Sequence, residues 1–68
     1  MNIKVIVVVQ KEPDWYVAKC LENNVASQGK SIEESLTNLK EALELYYEDA
    51  PFDAPELPTF ITTMEVAI

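Results

Sequence analysis

The apolar and polar positions of the first half of the chain predict three short strands. Residues 2–10 are mostly β-branched and apolar on both alternating faces, a pattern typical of a strand covered on both sides. Residues 15–22 and 25–28 form two further strand-like segments. Asn23 and Asn24 separate them, because asparagine tolerates left-handed backbone. We therefore predict an antiparallel meander of three strands.

Residues 31–49 have the period of an amphipathic helix. Ser31 is the predicted N-cap, and Glu34, three residues later, completes a capping box. Pro51 disfavours helix in the residue before it, so we expect the helix to end near Asp49. Apolar residues at alternating intervals of four and three form one stripe, which we expect to face the sheet. The stripe consists of Ile32, Leu36, Leu39, Leu43 and Tyr46 or Tyr47, and Ala42 and Leu45 widen it.

The remainder of the chain predicts a connector and a fourth strand. Three prolines fall within residues 50–58, which favours an extended connector. Residues 59–68 alternate with one mainly apolar face, formed by Phe60, Thr62, Met64, Val66 and Ile68. A helix crossover commonly returns a strand parallel to its neighbour. The expected fold of the single domain 1–68 is α+β, β-β-β-α-β, with one helix on a four-stranded mixed sheet of order 3-2-1-4.

One helix can cover only one face of such a sheet. The opposite face is expected to carry Ile6, Val8, Tyr16, Ala18 and Cys20. Apolar patches of roughly several hundred Å2 are uncommon on monomeric proteins. The pattern therefore predicts self-association, a partner protein, or both.

The charge balance limits the partners that this chain can bind. Twelve acidic and 5 basic residues give a net charge of −7. Such a chain is repelled by nucleic-acid phosphates and by anionic membranes. It suits a basic protein partner, or the charge serves only solubility. The apolar run 3–9 is too short to span a bilayer, and it lacks the pattern of a signal peptide. We expect a cytoplasmic protein that binds neither nucleic acid nor membrane.

The side chains needed for common catalytic sites are missing from the sequence. The chain has no histidine, one glycine and one cysteine, Cys20, which lies mid-strand as a small core residue. The helix carboxylates lie on the solvent face with Lys40 among them. The first strand has no acid that could act as the metal ligand of a ribonuclease H-like enzyme. We predict a protein that is not an enzyme and that uses no cofactor or metal ion.

Segments 15–22 and 25–46 resemble the HicB-like antitoxin family. Members have an aromatic strand ending in leucine, a short ASQG segment, and a helix with a characteristic pattern. Ser35 stands where alanine is usual, and the common Leu-Pro-Gly is replaced by Leu21-Glu22-Asn23. The positions that fall in step with the family pattern are Gly29, Ser31, Glu34, Asn38, Glu41 and Ala42.

This resemblance implies a partial ribonuclease H-like fold and a function. The implied function is an antitoxin of a type II toxin–antitoxin system, which binds and blocks a small basic RNase, the HicA-like toxin. Many members carry a C-terminal DNA-binding domain; the last predicted strand runs to Ile68, and we expect this protein to lack such a domain. A homo-oligomer is also expected. The alternative is a non-enzymatic, oligomeric protein-interaction module with no toxin partner. Candidate partner-binding acids lie outside the helix cap: Asp14, Glu22, Asp53 and Glu56.

Overall fold

The computed structural model describes residues 3–49 and 58–68 of the chain. The three strands form one antiparallel sheet of order β1-β2-β3, and the helix packs on one face, mainly over β3 and β2. The elements, in chain order, are β1 (Val7–Lys11), β2 (Tyr16–Cys20), β3 (Ala26–Gly29) and α1 (Ile32–Asp49). The predicted meander is confirmed, and so are the start and the end of the predicted helix.

The register of the sheet determines which strand residues face the helix. Val7 lies opposite Cys20, and Val9 lies opposite Ala18, which in turn lies opposite Ser27. Directly opposed residues share a face of the sheet. Because Ala18 and Cys20 are fully buried, this is the face that the helix covers.

This register corrects the predicted composition of the uncovered face. Tyr16, Ala18 and Cys20 were expected there, but the pairing of β1 with β2 places all three on the face that the helix covers. A shift of one residue in register moves every side chain of a strand to the other face. The true uncovered face is only partly apolar and carries Val8, Gln10, Val17, Lys19, Ala26 and Gln28.

The helix buries a stripe centred on Ser35 and Leu39. Leu39 is 1% exposed, as predicted, whereas Ile32 and Leu36 are 45% and 40% exposed. The predicted stripe is therefore rotated from the true one. Ser35 is fully buried, and its hydroxyl donates a hydrogen bond to the Ile32 carbonyl at 2.7 Å.

Two hydrogen bonds hold the helix in this rotation. The Asn38 side-chain amide donates to the Gln28 carbonyl on β3, and the Asn23 amide donates to the Tyr47 hydroxyl, both at 2.8 Å. At about 100° per residue, Asn38 and Tyr47 lie on opposite flanks of the buried stripe. One flank of α1 is thus tied to β3 and the other to the turn between β2 and β3. Neither contact is visible in the sequence, because its partners are far apart along the chain.

The predicted fourth strand and the order 3-2-1-4 are wrong. Residues 58–68 contain no strand, and every one of them is exposed. The sheet of the described residues has three strands and is entirely antiparallel. Alternating apolar positions indicate that a segment can pair, but they do not identify the edge that it pairs with. The predicted connector, apart from Pro58, lies outside the described residues.

The first strand is shorter at its start than predicted. It begins at Val7, and residues 3–6 are not part of a strand. Among the described residues, no helix combines the length and the apolar content that crossing a membrane requires.

Candidate functional site

The structure describes two of the four acids predicted to bind a partner, Asp14 and Glu22, and these two lie apart. Asp14 is exposed in the β1–β2 turn, and Glu22 is exposed just after β2. They therefore lie at opposite ends of β2. Asp53 and Glu56 lie outside the described residues.

The Glu22 side chain extends the hydrogen bonding between β1 and β2 at the start of β1. Its two carboxylate oxygens accept hydrogen bonds from the Ile6 backbone N–H, at 3.0 and 3.2 Å. The Leu21 N–H donates to the Ile6 carbonyl at 2.9 Å. The Glu22 carboxylate thus replaces a backbone acceptor at this end of the ladder. A carboxylate held in this way is less available to a partner protein.

Cys20 is a buried core residue beside Glu22. Burial raises the pKa of the Cys20 thiol above its ordinary value, and the Glu22 carboxylate, which accepts a hydrogen bond from Sγ at 3.5 Å, acts in the same direction. Because the thiolate is the nucleophilic form, this environment disfavours nucleophilic chemistry at Cys20.

The residues that carry the family resemblance build the junction between β3 and α1. The Ser31 hydroxyl accepts a hydrogen bond from the Glu34 N–H at 3.0 Å, which confirms the predicted N-cap. The Glu34 carboxylate accepts from the Lys30 N–H at 3.1 Å. A Cβ on Gly29 would lie 2.5 Å from the Ser35 backbone nitrogen, so only glycine permits this close approach. The motif therefore encodes the turn from strand to helix.

Apolar side chains beside β1 remain partly uncovered, because the helix lies mainly over β3 and β2. Val7 and Val9 are half-buried although they belong to the helix-covered face. The helix flank opposite Asn38 carries the half-exposed Ile32 and Leu36 on the side away from β3. We call these four apolar residues the β1 shelf. The adjoining edge of β1 has no paired strand among the described residues.

A second uncovered apolar surface is the segment 58–68. Phe60 is 91% exposed and Met64 is 82% exposed, and Val66 and Ile68 on the same alternating face are exposed as well. Glu65 is the only charged residue in the segment. The chain therefore holds an apolar shelf and an apolar strand-like segment that do not cover each other.

The solvent side of α1 is a concentrated acidic surface. The helix contains six acidic residues and one basic residue, Lys40. Glu41, Glu44 and Glu48 repeat at intervals of three and four and are exposed, so they form one row on the helix. This row, the acidic helix face, lies on the side away from the sheet.

The described residues offer little for a metal ion or a small ligand. Across 3–49 and 58–68, no three histidine, cysteine or acidic side chains are grouped to hold a metal. A depression of about 350 Å³ at strands β2 and β3 is lined by Val17, Ala26, Ser27 and Gln28. Ala26 and Gln28 are exposed, so this depression opens to solvent.

Comparison with known proteins places the chain in a family but supplies no activity. Residues 2–64 match the model of a family described as a family of unknown function, DUF7387. No curated protein and no solved structure matches the chain significantly.

Proposed function

Because the chain belongs to the DUF7387 family, whose function is unknown, we propose a function from its surfaces and its motif. The protein is a non-enzymatic, antitoxin-like inhibitor that binds and blocks a small basic RNase of the HicA-like kind. It works in the cytoplasm as the protective half of a type II toxin–antitoxin pair. It uses no cofactor and does not contact nucleic acid itself.

The acidic helix face is the observation that carries this proposal. An RNase holds its substrate through basic side chains that contact phosphates. Exposed carboxylates at Glu41, Glu44 and Glu48 present negative charge to those same basic groups. Charge complementarity of this kind accelerates association and selects the partner. An acidic row on a rigid helix can therefore occupy a surface that would otherwise bind RNA.

The resemblance to HicB-like antitoxins supports the proposal through the strand–helix junction. Gly29, Ser31, Glu34 and Asn38 each make a contact that positions α1 on the sheet. These contacts hold the acidic helix face in a defined orientation. The non-enzymatic part of the proposal rests on the missing histidine and on the buried Cys20 thiol.

Co-expression with neighbouring genes tests the proposal. A short basic ribonuclease encoded beside this gene should arrest growth when it is expressed alone. Growth should recover when this chain is present, and the two proteins should co-purify. If no neighbouring product is toxic, or if toxicity persists while this chain is abundant and folded, the antitoxin function is wrong.

Two variants matched in charge locate the binding surface. Changing Glu41, Glu44 and Glu48 to lysine removes three negative charges from the helix and adds three positive ones, a net change of +6. Changing Asp14, Asp53 and Glu56 to lysine adds the same charge elsewhere. The helix variant should associate with the toxin at least about tenfold more slowly at low salt. Equal slowing by both variants would mean that net charge acts, and not the helix face.

The alternative function is an oligomeric protein-interaction module without a toxin partner. The exposed apolar segment 58–68 favours it, because such a segment needs a binding surface. A protein that assembles with itself but protects against no neighbouring product would fit this alternative.

A further inference from the structure

We propose that two copies of this chain exchange residues 58–68, so that the segment of each copy pairs as a strand along β1 of the other. The receiving site is the open edge of β1 together with the β1 shelf, Val7, Val9, Ile32 and Leu36. This interface concerns self-association and does not depend on the antitoxin function.

Hydrogen-bonding capacity selects β1 as the receiving edge. An edge strand presents a row of N–H and C=O groups that can template another strand. β1 and β3 are the two edges of this sheet. On β3, the Gln28 carbonyl already accepts the Asn38 amide at 2.8 Å. The edge of β1 lies beside the shelf, so a strand paired there would bury apolar side chains as well as backbone groups.

The side chains of the segment match this site. Phe60, Met64, Val66 and Ile68 alternate onto one face of an extended segment, and all are exposed. With that face toward the helix side of the sheet, they would cover the β1 shelf. The other face would carry Thr59, Ile61, Thr63, Glu65 and Ala67, and it would continue the half-polar uncovered face of the sheet.

The local charges at the contact permit a second copy as the occupant, although two copies with a net charge of −7 repel each other overall. Residues 58–68 carry one charged side chain, that of Glu65, whereas the exposed Lys4 precedes the receiving strand and the exposed Lys11 is its last residue. The segment can therefore approach β1 with a favourable ion pair. The acidic helix face lies on the side of α1 away from the sheet and stays outside the contact.

The size of the exchange is sufficient for a stable dimer. At about 3.3 Å per residue, the segment would extend for roughly 36 Å, which is longer than β1. A standard interface buries about 1,600 Å² in total, or roughly 400 Å² from each of the two segments and the two receiving edges. One phenylalanine alone can bury about 150–250 Å². Reciprocal exchange also closes the assembly with two-fold symmetry, so it stops at the dimer.

Proline substitution tests whether the segment pairs as a strand. Thr62 and Thr63 lie in the exposed segment, so changing both to proline leaves the contacts of α1 and the sheet intact. Adjacent residues of a strand direct their N–H groups to opposite sides. Whichever side of the segment faces β1, one of the two prolines therefore removes an N–H group that would donate to β1. Sedimentation equilibrium should show a dimer for the unchanged chain at micromolar concentration. The dissociation constant should rise at least about 100-fold with both prolines and little with both alanines.

A monomeric unchanged chain at high micromolar concentration would overturn the proposal. So would a dimer that tolerates both prolines. The alanine pair is the matched control, since it removes the same side chains but keeps both N–H groups.

Disulfide trapping distinguishes the occupants of the edge. One population carries Gln10→Cys on β1, and a second, mass-labelled population carries Ile61→Cys, Thr63→Cys, Glu65→Cys or Ala67→Cys. Cys20 is buried and remains unchanged. At least one mixture should give a disulfide between the two populations. Disulfides only within the Gln10→Cys population would indicate that two β1 edges pair with each other. Disulfides only within a segment population would indicate that two segments pair with each other. Either result, without a disulfide between the two populations, would overturn the exchange.

The double variant with both cysteines in one chain excludes intramolecular docking. If that variant forms its disulfide only as a monomer, while every mixture stays unlinked, the segment docks on its own chain and the proposal is wrong.

Discussion

Gly29 lies close against the first turns of the helix. Any larger side chain there would meet the Ser35 and Glu34 backbone, at 2.5 and 2.8 Å from the new Cβ. The strand–helix junction must then open. We expect Gly29→Ala to lower the free energy of unfolding by about 1–3 kcal/mol, the range for overpacked sites.

Urea denaturation followed by circular dichroism measures this effect. Gln28→Ala is the control, because that side chain is exposed in the same strand and its backbone carbonyl is retained. Equal stability of the two variants would mean that β3 and α1 are not in close contact at Gly29.

Asn24 is the one described residue, other than glycine, with left-handed backbone, at φ 63°. Its N–H donates to the Cys20 carbonyl at 2.9 Å, which closes the turn after β2. Left-handed backbone costs an ordinary L-residue about 1–2 kcal/mol. Asn24→Ala should therefore destabilise the protein by about 1 kcal/mol, whereas Asn24→Gly should be nearly neutral. Thermal unfolding of both variants checks this, and a stable alanine variant would contradict it.

At the scale of the helix, the cap and the buried stripe contribute to stability in different ways. Ser31→Ala removes an acceptor for the Glu34 N–H and should cost about 0.5–2 kcal/mol. Leu39→Ala leaves a cavity under α1 and should cost about 2–5 kcal/mol. Chemical denaturation of each variant against Glu44→Ala, an exposed control, gives the comparison.

The rotation of the helix makes a sharper prediction about its two leucines. Leu36 is half-exposed on the β1 shelf, and Leu39 is in the core. Leu36→Ala should therefore destabilise the isolated fold less than Leu39→Ala. If the two variants lost equal stability at concentrations where the chain is monomeric, the assigned rotation would be wrong.

At the scale of the whole molecule, the two proposed associations should respond to salt in opposite directions. Two copies with a charge of −7 repel each other, and this repulsion is screened as the Debye length falls from about 10 Å at 0.1 M salt to about 3 Å at 1 M. Self-association should strengthen with salt. Binding to a basic RNase through the acidic helix face should weaken.

Sedimentation and binding titrations over this salt range measure both effects. Glu65→Gln is the control for the interface, since it removes the single charge of the segment but not the net repulsion between copies. A self-association that weakened steeply with salt would mean that ion pairs, rather than apolar burial, hold the two copies together.

The elements that could be predicted from the sequence depend on neighbours along the chain. The Ser31 cap, the left-handed Asn24 and the end of α1 near Pro51 arise from groups within a few residues of each other. Backbone hydrogen bonding and steric exclusion at that range depend only on local residue types. The same holds for the three strands, whose order follows from short turns.

Contacts between distant segments were decided only by the tertiary structure. The register of β1 on β2 placed Ala18 and Cys20 under the helix, and two asparagine side chains held α1 in its rotation. The apolar alternation of residues 59–68 could not identify an edge to pair with, and these residues remain exposed beside a three-stranded sheet. Hydrophobic burial is non-directional. An alternating pattern therefore predicts that one face of a segment will be buried, but only the contacts between segments determine which part of the protein buries it.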